Sequence, residues 1–381
     1  MNMLITRREI YQRSLRHFFA PVAKVLYEDE SVTEVLINGP DNIYVERNGK
    51  LQKIDARFPS EEVLLAAVNN LAEYVDRRVD DVHHSMDARL PEPEQFRVHV
   101  IIPPCSRNGV VVSIRKFRRA SHTLKSLVDL GSMTEAARQF LVTSVKLHRN
   151  LVVSGGTGTG KTSLLNAISE AIDPTERIVV IEDSSELRLQ QPHTVYLEAR
   201  APLPNGTGGV TIRNLFVDSL RMRPDRIVVG EVRRGEALDL IQSMLSGHDG
   251  SLTTVHASSP KLALVRLETL CLMSDVQLPA YVARTQVASA IHVVVQITRA
   301  HTGRRHVTSI AEVRGLDQKE RYRVRELFRL STDGVTEGRE ATPTLVPTGR
   351  PCSYARLAHV YGYAAEAPLC AELFALRTRD R

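Results

Sequence analysis

Several features that mark other protein classes are scarce or missing in this chain of 381 residues. It has no tryptophan, and aromatic residues make up only 5% of it, which argues against a surface that stacks nucleic-acid bases. No segment approaches the ~18 to 20 uninterrupted apolar residues of a membrane span. Arg7 and Arg8 are not followed by the apolar run of a secretory signal. The four cysteines form no C-x-x-C pair and no zinc spacing, so we expect reduced thiols and a cytoplasmic protein.

The remaining composition is typical of a globular protein with two or three domains. Hydrophobic residues make up 43% and charged residues 25% of the chain. The net charge of +6 permits attraction to nucleic acid or to an anionic membrane. The basic residues are scattered, however, and a solvated basic surface accounts for them.

The most informative motif is the run GGTGTGKT at 155–162, which fits the phosphate-binding pattern G-x-x-x-x-G-K-[ST]. An apolar run at 151–153 precedes it and a segment with helical spacing follows it, as this loop requires. Lys161 is predicted to reach the β- and γ-phosphates of ATP, and the Thr162 hydroxyl to bind Mg²⁺. The predicted phosphate ligands are Gly155, Gly156, Thr157, Gly158, Thr159, Gly160, Lys161, Thr162 and Ser163.

Acidic residues end two further apolar runs. Ile178–Ile181 leads into Glu182 and Asp183, and the run at 227–230 leads into Glu231. In open α/β sheets, ligands bind at the carboxyl ends of the strands, so these carboxylates could hold Mg²⁺ or polarise water.

Histidines and arginines complete the candidates. His248 and His256 flank a predicted strand; they lack the further ligands of a zinc site, and a γ-phosphate sensor or a structural role remains. An arginine that contacts the γ-phosphate stabilises transition-state charge. The candidates are Arg97, Arg115, Arg213, Arg221, Arg223 and Arg233.

The hydropathy pattern divides the chain into four parts. Residues 1–29 contain a basic helix over 4–22, which we expect to be limited by Pro21 and to pack on its own domain. Residues 30–118 form a small antiparallel sheet with one helix, with a hairpin signal at Asn48-Gly49. Residues 119–133 are a polar linker. From 134 to 381 strands and helices alternate, which predicts a parallel sheet and a C-terminal helical tail.

Seven segments carry a resemblance to a known family. They are VTEVLINGPDNIYVERNGK at 32–50, FRVHVIIPP at 96–104, VSIRKF at 112–117, GGTGTGKT at 155–162, IEDSSEL at 181–187, LRMRPDRIVVGEVRRGEALD at 220–239 and GHDGSLTTVHASSP at 247–260. In this order they resemble the secretion or traffic ATPases of type II and type IV secretion and pilus systems. The branch they resemble most is the CpaF type of Flp/Tad pilus assembly.

The resemblance implies an α/β fold in which a smaller PAS-like α+β domain precedes a RecA-like P-loop ATPase domain. It implies that Glu182 acts on the attacking water and that Glu231 takes the atypical Walker B position near Mg²⁺. His248 and His256 match the histidine box of the family. Arg97 and Arg115 match arginines that reach the nucleotide from the first domain.

The function expected from the resemblance is that of a homo-hexameric motor that hydrolyses ATP to drive protein secretion or Flp/Tad pilus assembly. It would act on an inner-membrane platform and associate with the membrane only through such partners, without binding nucleic acid. The alternatives are a type IV secretion ATPase that supports DNA conjugation, a nucleic-acid motor, and a nucleotide-dependent scaffold. Retention of Lys161, Glu182 and Glu231 argues against the scaffold.

Some positions depart from the family pattern. The C-x-x-C insertion of the general type II secretion and pilus extension branches is absent, and so is the AIRAEG motif of retraction motors. Arg234 stands where this branch usually has glycine, and His292 where it usually has aspartate.

Overall fold

The computed structural model describes residues 7–47, 49–91, 94–116, 122–200, 202, 206–331 and 344–376. Several predicted features lie partly outside these residues, namely the start of the N-terminal helix, Asn48 of the hairpin, the first residues of the linker and the end of the tail. The chain forms two compact units. The first comprises Met1–Ala120 with Ala201–Gly209, and the second Ser121–Arg200 with Val210–Arg381.

The first unit is built on an antiparallel sheet of six strands in the order β3-β2-β1-β6-β5-β4. Its strands are β1 (Val32–Asn38), β2 (Ile43–Arg47), β3 (Lys50–Lys53), β4 (Ser85–Arg89), β5 (Arg97–Ile101) and β6 (Val111–Arg115). Its helices are α1 (Arg7–Phe18), α2 (Ala20–Tyr27) and α3 (Glu61–Tyr74). The sequence predicts this sheet without β4, whose residues lack a clear apolar alternation.

The N-terminal helices pack on the core of the first unit. Leu15 of α1 and Val22 of α2 are buried in the same cluster as the strands. Helix α1 ends at Phe18, just before Pro21, as expected, and Pro21 occupies the first turn of the next helix α2, where the missing N–H has no partner to lose. The Ser60 side chain accepts a hydrogen bond from the Val63 N–H and caps α3.

The second unit contains a sheet of nine strands in the order β15-β14-β13-β12-β7-β11-β10-β8-β9. Its strands are β7 (Leu151–Gly155), β8 (Ile178–Glu182), β9 (Thr194–Glu198), β10 (Arg226–Val229), β11 (Leu252–His256), β12 (Val293–Arg299), β13 (Arg305–Leu316), β14 (Tyr322–Ser331) and β15 (Thr344–Pro347). Its helices are α4 (Leu124–Asp129), α5 (Glu135–Lys146), α6 (Lys161–Ser169), α7 (Ile212–Ser219), α8 (Glu236–Leu245), α9 (Pro260–Leu272), α10 (Ala280–Ala290) and α11 (Ala355–Val360), followed by two 3₁₀ helices, Tyr363–Glu366 and Pro368–Phe374.

This sheet is mixed, whereas the sequence predicts a parallel one. The six strands from β12 to β9 are parallel, and β13 to β15 add an antiparallel extension beside β12. The parallel strands β7 and β8 are buried along their whole length, and separate hydrophobic clusters cover the two faces of the sheet. This burial on both faces explains the continuous apolar runs of the sequence.

The predicted linker contains one packed element. Helix α4 lies within 119–133; the Thr123 side chain caps it, and Leu124 and Leu127 join the core of the second unit. The α/β class predicted from the alternating pattern is confirmed.

Candidate nucleotide site

The phosphate loop joins the end of β7 to the start of α6. Gly160 is the N-cap of α6 with a φ of +93°, a left-handed conformation that favours glycine. A Cβ at Gly155 would lie only 2.6 Å from the carbonyl oxygen of Ile297 and 2.6 Å from Oγ1 of Thr159. The glycines therefore let the loop fold tightly over the sheet, and the N–H groups of α6 begin where an anion would bind.

Lys161 is held inside the loop that it belongs to. Its side chain is nearly buried, and Nζ donates a 3.0 Å hydrogen bond to the carbonyl oxygen of Gly156. Nζ also lies 3.3 Å from Nε2 of His256. Register explains this contact, because His256 at the end of β11 pairs with Gly155 at the end of β7.

Glu231 follows β10 and is held from two sides. Its Oε1 lies 2.6 Å from Nε2 of His256, and its Oε2 lies 2.7 Å from Nη2 of Arg233. Arg233 also donates from Nη1 to Oδ2 of Asp183 at 2.8 Å. A chain of polar contacts thus runs from Asp183 through Arg233, Glu231 and His256 to Lys161.

Glu182 ends β8 as a nearly fully buried carboxylate. Its Oε1 accepts hydrogen bonds from the N–H groups of Glu186, at 2.9 Å, and Leu187, at 3.0 Å. Burial raises the pKa of Glu182 to about 7, although these two hydrogen bonds oppose the shift. A carboxylate with this pKa is suited to accept a proton near neutral pH.

The charge of His256 is set by opposing neighbours. Burial lowers the pKa of the imidazole, the Glu231 carboxylate raises it, and Lys161 and Arg233 lower it again. The net direction is downward, which favours the neutral ring. In a neutral ring one nitrogen accepts a hydrogen bond and the other donates one.

His248 does not join this site, contrary to its pairing with His256 in the sequence interpretation. It lies between α8 and β11, at the amino end of β11, whereas His256 is at the carboxyl end. Its backbone N–H donates to the Ser243 carbonyl at 3.1 Å. The five residues of β11 therefore place the two histidines at opposite edges of the sheet.

Of the candidate arginines in the second unit, only some lie near the phosphate loop. Arg233 is in the site, but Arg221 and Arg223 precede β10 and lie at its amino end. Arg213 forms ion pairs with Asp239 at 3.1 Å and Asp275 at 2.6 Å.

Arg97 and Arg115 lie in the first unit, directly opposite each other on β5 and β6. Arg97 pairs with Asp87 at 2.9 Å, and Nε of Arg115 lies 3.8 Å from Oε1 of Glu34. The two arginines thus share one face of that sheet, and each lies beside a carboxylate.

The donors near the loop fit Mg²⁺ in kind. The Thr162 hydroxyl is in the first turn of α6 and the Glu231 carboxylate follows β10, and Mg²⁺ prefers such oxygen ligands together with phosphates and water. Oε2 of Glu231 accepts from Arg233, whereas the buried Oε1 lies close to His256 but accepts no hydrogen bond from the described residues. Among the described residues, no group of three or more His, Cys, Asp or Glu side chains is arranged to hold a metal ion by itself.

His292 and Arg234, the two residues that depart from the family pattern, differ in whether the structure explains them. Nδ1 of His292 accepts a 3.0 Å hydrogen bond from the N–H of Asn150, a role that an aspartate oxygen could also fill. Burial lowers the pKa of His292 to about 4, consistent with a neutral acceptor. Arg234 has an exposed side chain, and nothing in the structure explains an arginine there.

Sequence reasoning missed two arginines beside the loop. Arg299 ends β12 and Arg305 begins β13, and Nε of Arg305 donates to the Gly158 carbonyl at 3.3 Å. The four basic residues within 299–305 are the sequence feature that could have indicated an anion-binding segment here.

Comparison with known proteins gives consistent matches. A family model described as "Type II/IV secretion system protein" matches residues 17–337. Over 299 residues the chain is 36% identical to a putative conjugal transfer protein of Mycobacterium tuberculosis, covering 77% of this chain and 84% of that protein. It is 33% identical to the type IV secretion system protein PtlH of Bordetella pertussis (74% and 90% covered) and 32% identical to VirB11 of Brucella suis (74% and 86%).

Solved structures show the same fold at lower identity. The Legionella pneumophila ATPase DotB matches with a TM-score of 0.51 and 16% identity, covering 84% of each chain. The pilus retraction motor PilT with bound ADP matches with a TM-score of 0.52 and 15% identity, covering 80% of this chain and 84% of that one. The predicted order of a small N-terminal domain and a RecA-like ATPase domain is therefore confirmed. Within the described part of the chain, no helix has the length and apolar character needed to cross a membrane.

Proposed function

Because this chain belongs to the type II/IV secretion system protein family, we propose that it is the ATP-hydrolysing motor of a type IV secretion system that supports conjugal transfer. The family establishes it as an ATPase, and the particular system is our proposal. The relatives named above are conjugal transfer and type IV secretion proteins, and none of them is named for Flp/Tad pilus assembly. The alternative reading of the sequence is thus favoured over the pilus reading.

The observation that supports hydrolysis at this site is the contact chain from Lys161 through His256 to Glu231. Lys161 follows the phosphate loop after β7, and His256 and Glu231 lie at or just after the ends of β11 and β10; these three strands are neighbours in the sheet. A phosphate loop next to an acidic strand end is the arrangement of P-loop NTPases. We assign Lys161 to the β- and γ-phosphates, and Thr162 and Glu231 to Mg²⁺, which neutralises phosphate charge when bound.

Glu182 is proposed as the group that accepts the proton of the attacking water. The water oxygen bonds to the γ-phosphorus, the bond from that phosphorus to the β,γ-bridging oxygen breaks, and ADP leaves with the electron pair. The proton passes to Glu182 and then to solvent. Its raised pKa and its fixed orientation on two backbone N–H groups suit this role.

Assembly as a homo-hexamer at an inner-membrane platform belongs to the same proposal. Arg97 and Arg115 would supply positive charge to the γ-phosphate, and loss of that phosphate would change the position of the domain that carries them. This movement would act on membrane partners, without a requirement for nucleic acid.

The test measures ATP hydrolysis and transfer in the same strain. We expect Mg²⁺-dependent hydrolysis that Lys161→Ala abolishes, because a contact to the β- and γ-phosphates is lost. A chain without hydrolysis, or a Lys161→Ala variant with normal turnover, would contradict the site. A strain carrying Lys161→Ala should lose conjugal transfer and still assemble pili. Loss of pili with normal transfer would instead support the pilus reading, and stimulation of hydrolysis by DNA or RNA would support a nucleic-acid motor.

A further inference from the structure

The turn between β12 and β13 is a short basic hairpin next to the phosphate loop. It comprises residues 299–305, of sequence RAHTGRR, and Arg299 pairs directly with Arg305 across the two strands. The Ala300 N–H donates to the Arg304 carbonyl at 2.8 Å, and the Gly303 N–H to the Ala300 carbonyl at 2.9 Å, so the turn has a defined shape. The hairpin therefore presents its basic side chains from a fixed support.

The hairpin contacts the outer side of the phosphate loop. Nε of Arg305 donates to the Gly158 carbonyl at 3.3 Å. A Cβ added at Gly160 would lie 3.0 Å from Cδ of Arg305, and one added at Gly158 would lie 3.7 Å from Nη1 of Arg299. Both arginines thus lie within one side chain's reach of the loop that would hold the phosphates.

The sheet order shows which part of a nucleotide faces this hairpin. Strand β7, which leads into the loop, lies between β11 on one side and β12 on the other. Lys161 points toward His256 at the end of β11, where Glu231 also lies, so the β- and γ-phosphates belong on that side. The opposite side, formed by β12 and the hairpin, is left for the nucleoside half of the molecule.

We propose that Arg299 and Arg305 bind the nucleoside half of ATP, that is, its base and ribose. The inference rests on the nucleotide site proposed above. A guanidinium group can donate to the ribose oxygens and can also stack on the face of a base, so arginine suits both parts of this ligand. Binding in this way selects a nucleotide over a simple polyphosphate.

The experiment measures dissociation constants by calorimetry for ATP, ADP and inorganic tripolyphosphate. The proteins are the full-length wild type, Arg299→Ala, Arg305→Ala and Arg305→Gln. The matched control is Arg304→Ala, which removes an exposed charge from the same hairpin. We expect each Arg299 or Arg305 variant to bind ATP and ADP about tenfold more weakly, the loss typical of one charge-assisted hydrogen bond. Tripolyphosphate binding should change by less than about twofold, as should all three ligands with the control.

Three outcomes would overturn the inference. Equal losses for ATP and tripolyphosphate would show that the arginines only shape the loop. Unchanged nucleotide binding would show that they do not contact the ligand, and an equal loss in Arg304→Ala would show a general charge effect. Arg305→Gln keeps much of the side chain's packing, so it gives a reading if the alanine variant fails to fold. A wild-type chain that binds no ATP would contradict the proposed function itself, which is a different result from wild-type binding that the substitutions leave intact.

Discussion

His256 and Glu231 are joined by a 2.6 Å contact between Nε2 and Oε1, and they come from the ends of neighbouring strands. The same imidazole lies 3.3 Å from Nζ of Lys161. One ring therefore connects the residue assigned to the phosphates with the residue assigned to Mg²⁺. A shift of Lys161 toward a phosphate would therefore change the surroundings of the ring that lies against Glu231.

Replacing His256 by alanine should lower ATP hydrolysis by about tenfold or more while ATP affinity changes by less than about threefold, because the ring orients Glu231 and does not carry the main phosphate contacts. Steady-state hydrolysis and calorimetry of ATP binding check this. The matched control is His248→Ala, since the structure places His248 at the other edge of the sheet. Equal losses of hydrolysis in both variants would mean that the two histidines act together after all.

The variants Glu231→Gln and Glu182→Gln should separate nucleotide binding from turnover. The amides keep the size of each side chain but remove the negative charge, so ATP should still bind while hydrolysis falls by about a hundredfold. Single-turnover assays with radiolabelled ATP measure the chemical step directly. Normal hydrolysis in both variants would remove the assignment of the two carboxylates.

The stability of the protein should depend on pH through Glu182. Its pKa rises from 4.5 to about 7 in the folded protein, so between these values the folded state holds a proton that the unfolded chain has lost. The contribution of Glu182 to the free energy of unfolding is complete below pH 4.5, and it is lost as the pH rises through about 7. Glu182→Gln should therefore gain stability relative to wild type between pH 5 and pH 8, by about 2 to 3 kcal/mol.

Urea denaturation at several pH values measures this difference. The control is Glu372→Gln, which changes an exposed carboxylate in the C-terminal tail. Its free energy of unfolding should follow that of wild type at every pH. If the difference in free energy of unfolding between Glu182→Gln and wild type did not change with pH, the buried carboxylate would not titrate in this range.

Hydrolysis should depend on Arg97 and Arg115 of the first unit and on assembly. Alanine at both Arg97 and Arg115 should lower turnover by about tenfold or more with little change in ATP affinity, because positive charge near the γ-phosphate acts mainly in the transition state. Turnover per chain should also rise with protein concentration as rings form. The double variant Arg57→Ala with Arg107→Ala removes the same charge from exposed positions of that unit and should behave as wild type.

Sedimentation velocity with a non-hydrolysable ATP analogue, run beside the hydrolysis assays, tests the assembly. A fully active monomer would contradict this mechanism, and so would an Arg97 and Arg115 double variant with unchanged turnover.

The sequence predicts the central part of the ATPase unit well because each of its strands is buried on both faces. Such strands read as continuous apolar runs, and the glycines and acidic residues at their carboxyl ends follow a known pattern. Strands β14 and β9 were missed because they alternate or expose their side chains. Four charged residues within β14 interrupt its apolar residues and hide its buried face from a search for apolar runs.

The contacts of the site were less predictable than its members. His248 and His256 flank a predicted strand, but their match to the histidine box of the family groups them together, whereas the structure places them at opposite ends of β11. Similarly, the sequence contains no sign that Arg305 returns to Gly158, 147 positions away, because that contact depends on the register of β12 with β7 and β13. Long-range pairing of this kind is fixed by the assembled sheet.

The antiparallel extension has a consequence for how the chain can be shortened. Strand β12 has seven residues, of which the first five are buried, and its outer side is covered only by β13. A fragment that stopped before Arg305 would lack β13. The apolar strand β12, which lies next to β7, would then expose a row of unpaired N–H and C=O groups. Such an edge recruits strands from other molecules, so the fragment would aggregate although it kept the whole phosphate loop. The strands after β12 thus cover an aggregation-prone edge of the sheet, and the smallest soluble ATPase fragment has to include them.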